Sequence, residues 1–457
     1  MDKPDTRLIV LNTLIRYEQE GTMLKPLLID VLEKYKELDG RDRAFIGALA
    51  EGVTERLMTL DWIMDQVSSR KSADMKPVIR MILRMGTYQI VFMDHVPDRA
   101  AVNEAVKLAC KKHMDGLKGF VNGVLRGVIR LRDKGISYPD CETECSVPAW
   151  IAEIFRDTYG EEKARKMMRA GISESPLYLR ADQNRTDAGG LQEILKDEGI
   201  STGRISTGAD NRELPYSLVV KEGRLVPKES EAFIKGLYSI QDISSQEAVY
   251  ELWDSILVNI KHDSKVDINA YDICSAPGGK ACFLTEFFNG NPDICRGGSF
   301  RMSAFDISEA KLEKLRENID RTGLAGIETG VRDASVYDPS LKETADIIIA
   351  DLPCSGLGVM GRKVDIKYRV KPDDIAGLCE LQRRMLDNAA DYLKKQGILL
   401  FSVCTVTREE TADQAGYLEK KGLHKIKERQ LLQGIDPGDG FYYSVWKKSS
   451  GVEREKE

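Results

Sequence analysis

The chain has 457 residues, 42% of them hydrophobic and 31% charged, too many for one comfortable core, so two or three domains are expected. A formal net charge of -6 argues against wholesale electrostatic capture of nucleic acid and leaves room for a local basic face. Nine cysteines without repeated CxxC pairs, beside only four histidines, indicate neither a disulfide framework nor a metal site, and no apolar run is long enough to span a bilayer.

The start, MDKPDTRLIVLNTLIRYEQE, reads as an amphipathic helix containing acids rather than a secretion signal, and the expectation is a reduced, soluble, cytoplasmic protein. Apolar residues recur at helical period through LIVLNTLIRYEQE, PLLIDVLEKYKEL, RDRAFIGALAEGVTERLMTLDWIMDQV and VIRMILRMGTYQIVFM, which predicts a helical bundle over 1–140. Its last helices gather Lys107, Lys111, Lys112, Lys118, Arg126, Arg130, Arg132 and Lys134, either a stripe for a phosphate backbone or a solvated face. A linker and helix follow over 141–170, with Ser146 before Pro148 as a helix cap. Cys141 and Cys145 lie four apart here, with no second ligand pair at finger-like spacing. Short strands and a helix over 171–235 predict a small α+β module, for substrate binding or as a brace.

From 236 to 449 strands alternate with helices. VDINAYDICSA, GSFRMSAFDI, ETGVRDAS, ADIIIADLP and GILLFSVCT read as strands, ELQRRMLDNAADYLKKQG as the helix before the last, and DGFYYSVWK as a closing edge strand. This pattern predicts an α/β Rossmann-like, mostly parallel doubly wound sheet with its site at the strands' carboxyl ends.

In YDICSAPGGKAC a strand runs into a Pro-Gly-Gly turn where backbone can approach a ligand. GGKAC has alanine where a phosphate-gripping loop needs a magnesium-binding hydroxyl, so phosphoryl transfer is not indicated. Asp306 closes the second strand, as a ribose ligand or a helix cap; Asp333 follows the third, where a carboxylate suits an adenine amino group. Asp351 ends a buried-looking strand just before Leu352 and Pro353. Two thiols, Cys354 and Cys404, sit just past strand ends, where this fold does its chemistry.

With GLYSIQDISSQ at 236–246, ICSAPGGK at 273–280, ADLPCSGLG at 350–358, FSVCTVTREE at 401–410 and KGFVNGVLRGVIR at 118–130, the sequence resembles the RNA 5-methylcytosine methyltransferases. Within them it is most similar to the bacterial 16S ribosomal RNA enzymes that carry an antitermination-factor-like helical domain. The resemblance covers nearly the whole chain. It implies S-adenosylmethionine as cofactor, with Cys274, Ser275, Ala276, Pro277, Gly278, Gly279 and Lys280 lining its methionine and ribose part. Asp306 would hold the ribose, Asp333 the adenine, and Asp351 would stand between cofactor and base. Cys404 would be the nucleophile, Cys354 the thiol that helps release product, and Lys280 a partner of Asp351 or the base.

That chemistry accounts for two thiols. Carbon 5 of cytosine is a poor nucleophile until a thiolate adds at carbon 6. Asp351, protonated or sharing a proton with N3, would meet the charge that develops on the base, and the carbon 5 proton must then leave to a general base. The resemblance further implies 16S rRNA or a small-subunit assembly intermediate as partner, with no membrane and no metal. Monomer is the default. The same chemistry on another RNA such as tRNA, or an idle RNA-binding assembly factor, are the alternatives. Departures from the pattern are Leu352 for a proline, Val403 and Thr405 around Cys404, and the loop GRKVDIKYRV, which leaves base or phosphate contacts by Arg362, Lys363 and Lys367 open.

Overall fold

The computed structural model describes residues 4–207, 212–259 and 265–449. The chain divides into two compact units, Met1–Ser173 with Met360–Val370, and Glu174–Val359 with Lys371–Glu457.

The first unit is helical throughout. Asp5 accepts from the N–H groups of Arg7 and Leu8 to start the helix Thr6–Glu20, and Gly21, in the left-handed region, ends it. Helices Gly40–Glu55, Leu57–Val67, Pro77–Phe92, Asp98–Lys111 and Lys118–Lys134 follow. Leu11, Leu14, Ile46, Leu49, Ile63, Ile82 and Leu125 are all fully buried in the core these helices share. Each such side chain contributes roughly 1.5–3 kcal/mol through its burial.

Two features of this unit differ from expectation. Ser146 does not cap the helix that follows it. It lies in the left-handed region at φ 56°, which turns its hydroxyl to accept from Met58 N at 2.8 Å and Thr59 N at 3.3 Å, so it caps Leu57–Val67 instead. The segment 360–370 packs into the helical unit: Val364 lies on its core, Leu24 N donates to Asp365 Oδ2 at 2.7 Å, and Tyr368 donates to the Glu55 carbonyl at 2.9 Å. Lys367, 1% exposed, donates to the Cys145 carbonyl at 3.2 Å, and burial lowers its pKa to about 8. An amine so enclosed is not a phosphate contact.

Of the basic stripe, Lys107, Lys111, Lys118 and Arg132 pair with Glu104, Asp5, Asp115 and Asp98. Arg126 and Arg130 stay exposed, one turn apart on the helix Lys118–Lys134, with no ion-pair partner among the described residues. Cys141, Glu144 and Cys145 form a group whose ligand atoms lie within 4.8 Å of one another, a proximity that sequence spacing did not single out as a metal site.

The second unit holds two sheets. Strands β1 (Tyr178–Ala181), β2 (Ser201–Thr207), β3 (Arg212–Glu222) and β4 (Tyr238–Ile240) form an antiparallel sheet in the order β2-β3-β1-β4. Strands β5 (Ile268–Asp272), β6 (Phe300–Asp306), β7 (Ile327–Val331), β8 (Ala345–Asp351), β9 (Leu393–Val403), β10 (Leu423–Leu431) and β11 (Phe441–Lys448) form the larger sheet, ordered β10-β11-β9-β8-β5-β6-β7. Pairings from β9 through β8, β5 and β6 to β7 are parallel, and β11 pairs antiparallel on both sides. β11 is therefore interior, with Trp446 and Tyr443 fully buried, and the edge is β10. Charge along LHKIKERQL hides β10 from the alternation test, because most of its side chains face water. The helix before β9 spans Pro372–Tyr392 and stops short of the expected KKQG end, because Leu393 already pairs with Ala345 and the chain turns through Gln396 at φ 65°. The two sheets are joined by a buried ion pair between Arg180 of β1 and Glu286 of the helix Gly279–Gly290, each side chain 1% exposed.

Candidate active site

Parallel neighbours end on one rim, and here the register aligns Asp351 of β8 with Ser402 of β9. The residues just beyond those strand ends are Cys354 and Cys404, and their sulfurs stand 3.3 Å apart. Two close approaches hold the loops that carry them. Leu352 N donates to the Ser402 carbonyl at 3.0 Å, and Gly358 N donates to the Cys404 carbonyl at 3.2 Å. Gly440 N donates to the Gly358 carbonyl at 2.8 Å, and a Cβ on Gly358 would lie 1.9 Å from the Gly440 oxygen, so no larger residue fits without moving backbone. Cys354 keeps its proton: its hydrogen bond to Cys404, then burial, then the charges of Cys404 and Glu410 push its thiol well above the usual range.

Beside the thiols, Lys280 donates to Asp351 Oδ2 at 2.7 Å and the Ser402 hydroxyl donates to Oδ1 at 2.7 Å, so both carboxylate oxygens are acceptors. Lys280 is 7% exposed while Asp351 is 36% exposed and faces the open rim. The lysine comes from the first turn of Gly279–Gly290, which the glycine turn aims. There Ser275 N donates to the Phe305 carbonyl at 2.7 Å and Gly278 N to the Ser275 carbonyl at 2.6 Å. Gly278 has φ 97°, and a Cβ on it would meet Leu315 Cδ1 at 2.0 Å. Cys274 sits half-buried next to Asp272, Asp351 and Asp306, and desolvation raises its thiol.

The other predicted acids sit where their strands end. Asp306, buried, accepts from Ser308 N at 3.1 Å through Oδ1, with Lys311 at 3.6 Å from the same oxygen, so the carboxylate holds the local turn at the start of the helix Glu309–Thr322. Asp333 accepts from Ser335 N at 2.9 Å and its hydroxyl at 2.7 Å, also through Oδ1. Sequence reasoning passed over Asp272, which ends β5 as Asp351 ends β8 and is 1% exposed. Desolvation, then the Asp351 charge, raises its pKa to about 7 against the pull of Lys280. An acid closing an apolar strand is the signal that would have found it. It also passed over Glu410, fully buried between the two thiol loops.

Carboxylates at the ends of β6 and beyond β7, together with the amides at the start of Gly279–Gly290, suit the hydroxyls, amino group and carboxylate of an aminoacyl nucleoside. The sheet, with its parallel run from β9 to β7 and the glycine turn at the end of β5, has the Rossmann-like fold.

Residues 4–130 match the NusB family and residues 258–451 match the family described as 16S rRNA methyltransferase RsmB/F. The chain is 32% identical over 419 residues, 90% of its length and 87% of the relative's, to a probable ribosomal RNA small subunit methyltransferase B of Bacillus subtilis. It is 30% identical, over 82% of the chain and 80% of the relative, to the protein of the same description from Synechocystis. Among solved structures, that of PH0851 superposes with a TM-score of 0.75 at 18% identity, covering 98% of this chain and 100% of that one. NSun6 from Pyrococcus horikoshii, solved with SFG, gives 0.53 at 19% identity over 66% of this chain and 98% of that one. The chain belongs to the 16S rRNA methyltransferase RsmB/F family. No helix among the described residues is long and apolar enough to cross a membrane.

Proposed function

We propose that the protein methylates carbon 5 of one cytosine in 16S rRNA, with Cys404 as the nucleophile and Cys354 as the base that frees the product. The observation that carries this reading is the pair of sulfurs 3.3 Å apart at the ends of β8 and β9, beside the Lys280–Asp351 pair. S-adenosylmethionine, when bound by residues 274–280, Asp306 and Asp333, supplies an electrophilic methyl group.

Cys404, its proton given up to water, adds its sulfur to carbon 6 as the 5,6 double bond opens; electron density moves to carbon 5 and N3, and carbon 5 takes up the methyl group, so that it carries both the methyl and its original hydrogen. Lys280, through Asp351, brings a proton source to the edge of the base where that charge collects. Cys354 stays protonated as long as Cys404 is its hydrogen-bonded neighbour. Once the Cys404 sulfur is bonded to carbon, that first cause is gone; Cys354 releases its proton to water and, as the thiolate, takes the proton from carbon 5. The electron pair left on carbon 5 re-forms the double bond and expels Cys404 as thiolate. Binding needs nothing of this kind from two adjacent thiols, which weighs against an idle assembly factor.

The substrate assignment rests on the relatives, whose names describe ribosomal RNA small subunit methyltransferases. The division into an RNA-binding region over 1–140, a linker over 141–170, a substrate-binding module over 171–235 and a catalytic domain over 236–449 belongs to the same proposal, as do a cytoplasmic setting and a monomer. The exposed Arg126 and Arg130 would meet phosphates. The test is incubation with unmodified small-subunit rRNA and labelled S-adenosylmethionine, with methylcytosine mapped at base resolution. One discrete cytosine is expected; label in tRNA and none in rRNA would replace the substrate.

A further inference from the structure

We propose that Glu410 is the positioning residue of the thiol pair, one carboxylate that ties the Cys354 loop to the Cys404 loop and sets the distance between the sulfurs. The inference rests on the reading of those thiols as the reacting pair. Glu410 is 0% exposed and its partners are hydroxyls, an amide and a backbone N–H, with no cation among them. Ser355, next to Cys354, donates its N–H to Oε1 at 2.8 Å and its hydroxyl to Oε2 at 2.5 Å. Thr405, next to Cys404, donates to the Ser355 hydroxyl at 2.7 Å, since the Ser355 proton itself goes to Oε2. Thr407 donates at 2.7 Å and Gln382 at 3.3 Å, and the Gln382 amide also holds the Pro353 carbonyl at 2.9 Å.

A buried carboxylate without a cation is expensive to keep unless its lone pairs are filled. Four donors fill them here, two from Ser355 on the Cys354 loop, one from Thr407 on the Cys404 loop and one from Gln382. A brace for folding alone needs no charge at this point, since hydroxyls and amides bond each other well. The charge has a second effect. Glu410 is among the causes that hold Cys354 protonated, so the residue that fixes the geometry also keeps the second thiol from ionising ahead of its turn. Glu410 also faces Cys379 on the helix Pro372–Tyr392, a thiol that burial raises first and that Arg383 and Glu409 face as well, while the Lys280–Asp351 pair stands beside the thiols.

Glu410→Gln separates the two roles. Hydroxyls can turn to accept from the new amide, so the packing is kept while the charge is lost. Glu410→Asp keeps the charge and shortens the reach. The readouts are kcat and KM for S-adenosylmethionine, and the pH dependence of Cys354 alkylation by iodoacetamide, followed on its own peptide in a Cys404→Ala background. Glu410→Gln is expected to lower kcat by about 10- to 100-fold with KM unchanged, as a small misplacement of reacting groups does. Its Cys354 alkylation profile moves to lower pH. Glu410→Asp should lower kcat and leave the profile in place. A lower kcat with an unmoved profile in Glu410→Gln means a structural brace only and overturns the proposal, as does wild-type kcat in both variants. If Glu410→Gln does not fold, Ser355→Ala breaks the tie on the Cys354 side alone, and unchanged kcat there overturns the proposal too. Wild-type protein that methylates no RNA while the alkylation shift persists would sink the proposed function and not this placement of Glu410.

Discussion

Gly358→Ala is a single methyl group placed against backbone. Its Cβ would sit 1.9 Å from the Gly440 oxygen and 2.5 Å from the Gly440 carbonyl carbon. Ordinary contact requires the two segments to part by more than about 1 Å. Gly358 N bonds the Cys404 carbonyl and Gly440 N bonds the Gly358 carbonyl, so parting them strains both bonds, at about 1 kcal/mol each. Overpacking adds roughly 1–3 kcal/mol. The sum, about 3–5 kcal/mol, should lower the melting temperature by roughly 10 °C in a unit of this size. The effect on rate is larger in proportion, because the movement falls on the loop that carries Cys354 and on the carbonyl of Cys404. A shift of about 1 Å between reacting groups costs on the order of 100-fold. Single-turnover transfer of labelled methyl to rRNA, below the melting transition, reads this directly, and KM for S-adenosylmethionine should hold because the glycine turn is untouched. Wild-type kcat in Gly358→Ala would mean that the close approach to Gly440 does not govern where the thiols stand.

Glu286→Ala leaves the Arg180 guanidinium buried and unpaired and should lower stability by about 3–5 kcal/mol in urea unfolding, whereas replacing both partners with apolar residues should cost much less. Asp272 titrates near 7 in the folded state against an ordinary value near 4, so between those values the folded protein holds a proton that the unfolded chain has lost. Its contribution therefore declines as pH rises through that window, and Asp272→Asn should gain stability relative to wild type between pH 5 and pH 7.5; equal differences at both pH values would contradict this. Replacing Arg126 and Arg130 with glutamate should weaken rRNA binding and reduce its salt dependence by about 0.7–0.9 in log–log slope for each phosphate no longer neutralised, measured by fluorescence titration.

Much of the second unit was legible because a doubly wound sheet puts its chemistry where strands stop. The apolar run IIIA ending in Asp351, and Cys404 following FSV, reveal themselves locally, since burial and function change at a single residue. Glu410 did not, because REE after a strand reads as a solvated charge run, and only the fold brings Ser355 and Gln382 to it. Lys367 was legible only as an open question: a lysine in a basic loop carries no sign of burial, and 360–370 lies in the helical unit and buries it. β10 was hidden by its charge, and β11 read as an edge because alternation cannot distinguish an edge from an interior strand covered on one side. Ser146 shows the remaining limit. A cap is legible in sequence only when it serves its own helix, and this one serves a helix almost ninety residues earlier.

In the proposed reaction Cys404 bonds the base and Cys354 ends that bond. The direct measurement is to incubate Cys354→Ala with rRNA and S-adenosylmethionine and run it on a denaturing gel beside wild type, Cys404→Ala and the double variant. A slow-migrating RNA–protein adduct is expected with Cys354→Ala alone, cleaved only by treatments that break a carbon–sulfur bond, and no adduct when Cys404 is absent. Methyl transfer that survives in Cys404→Ala, or an adduct that persists in the double variant, would contradict these roles.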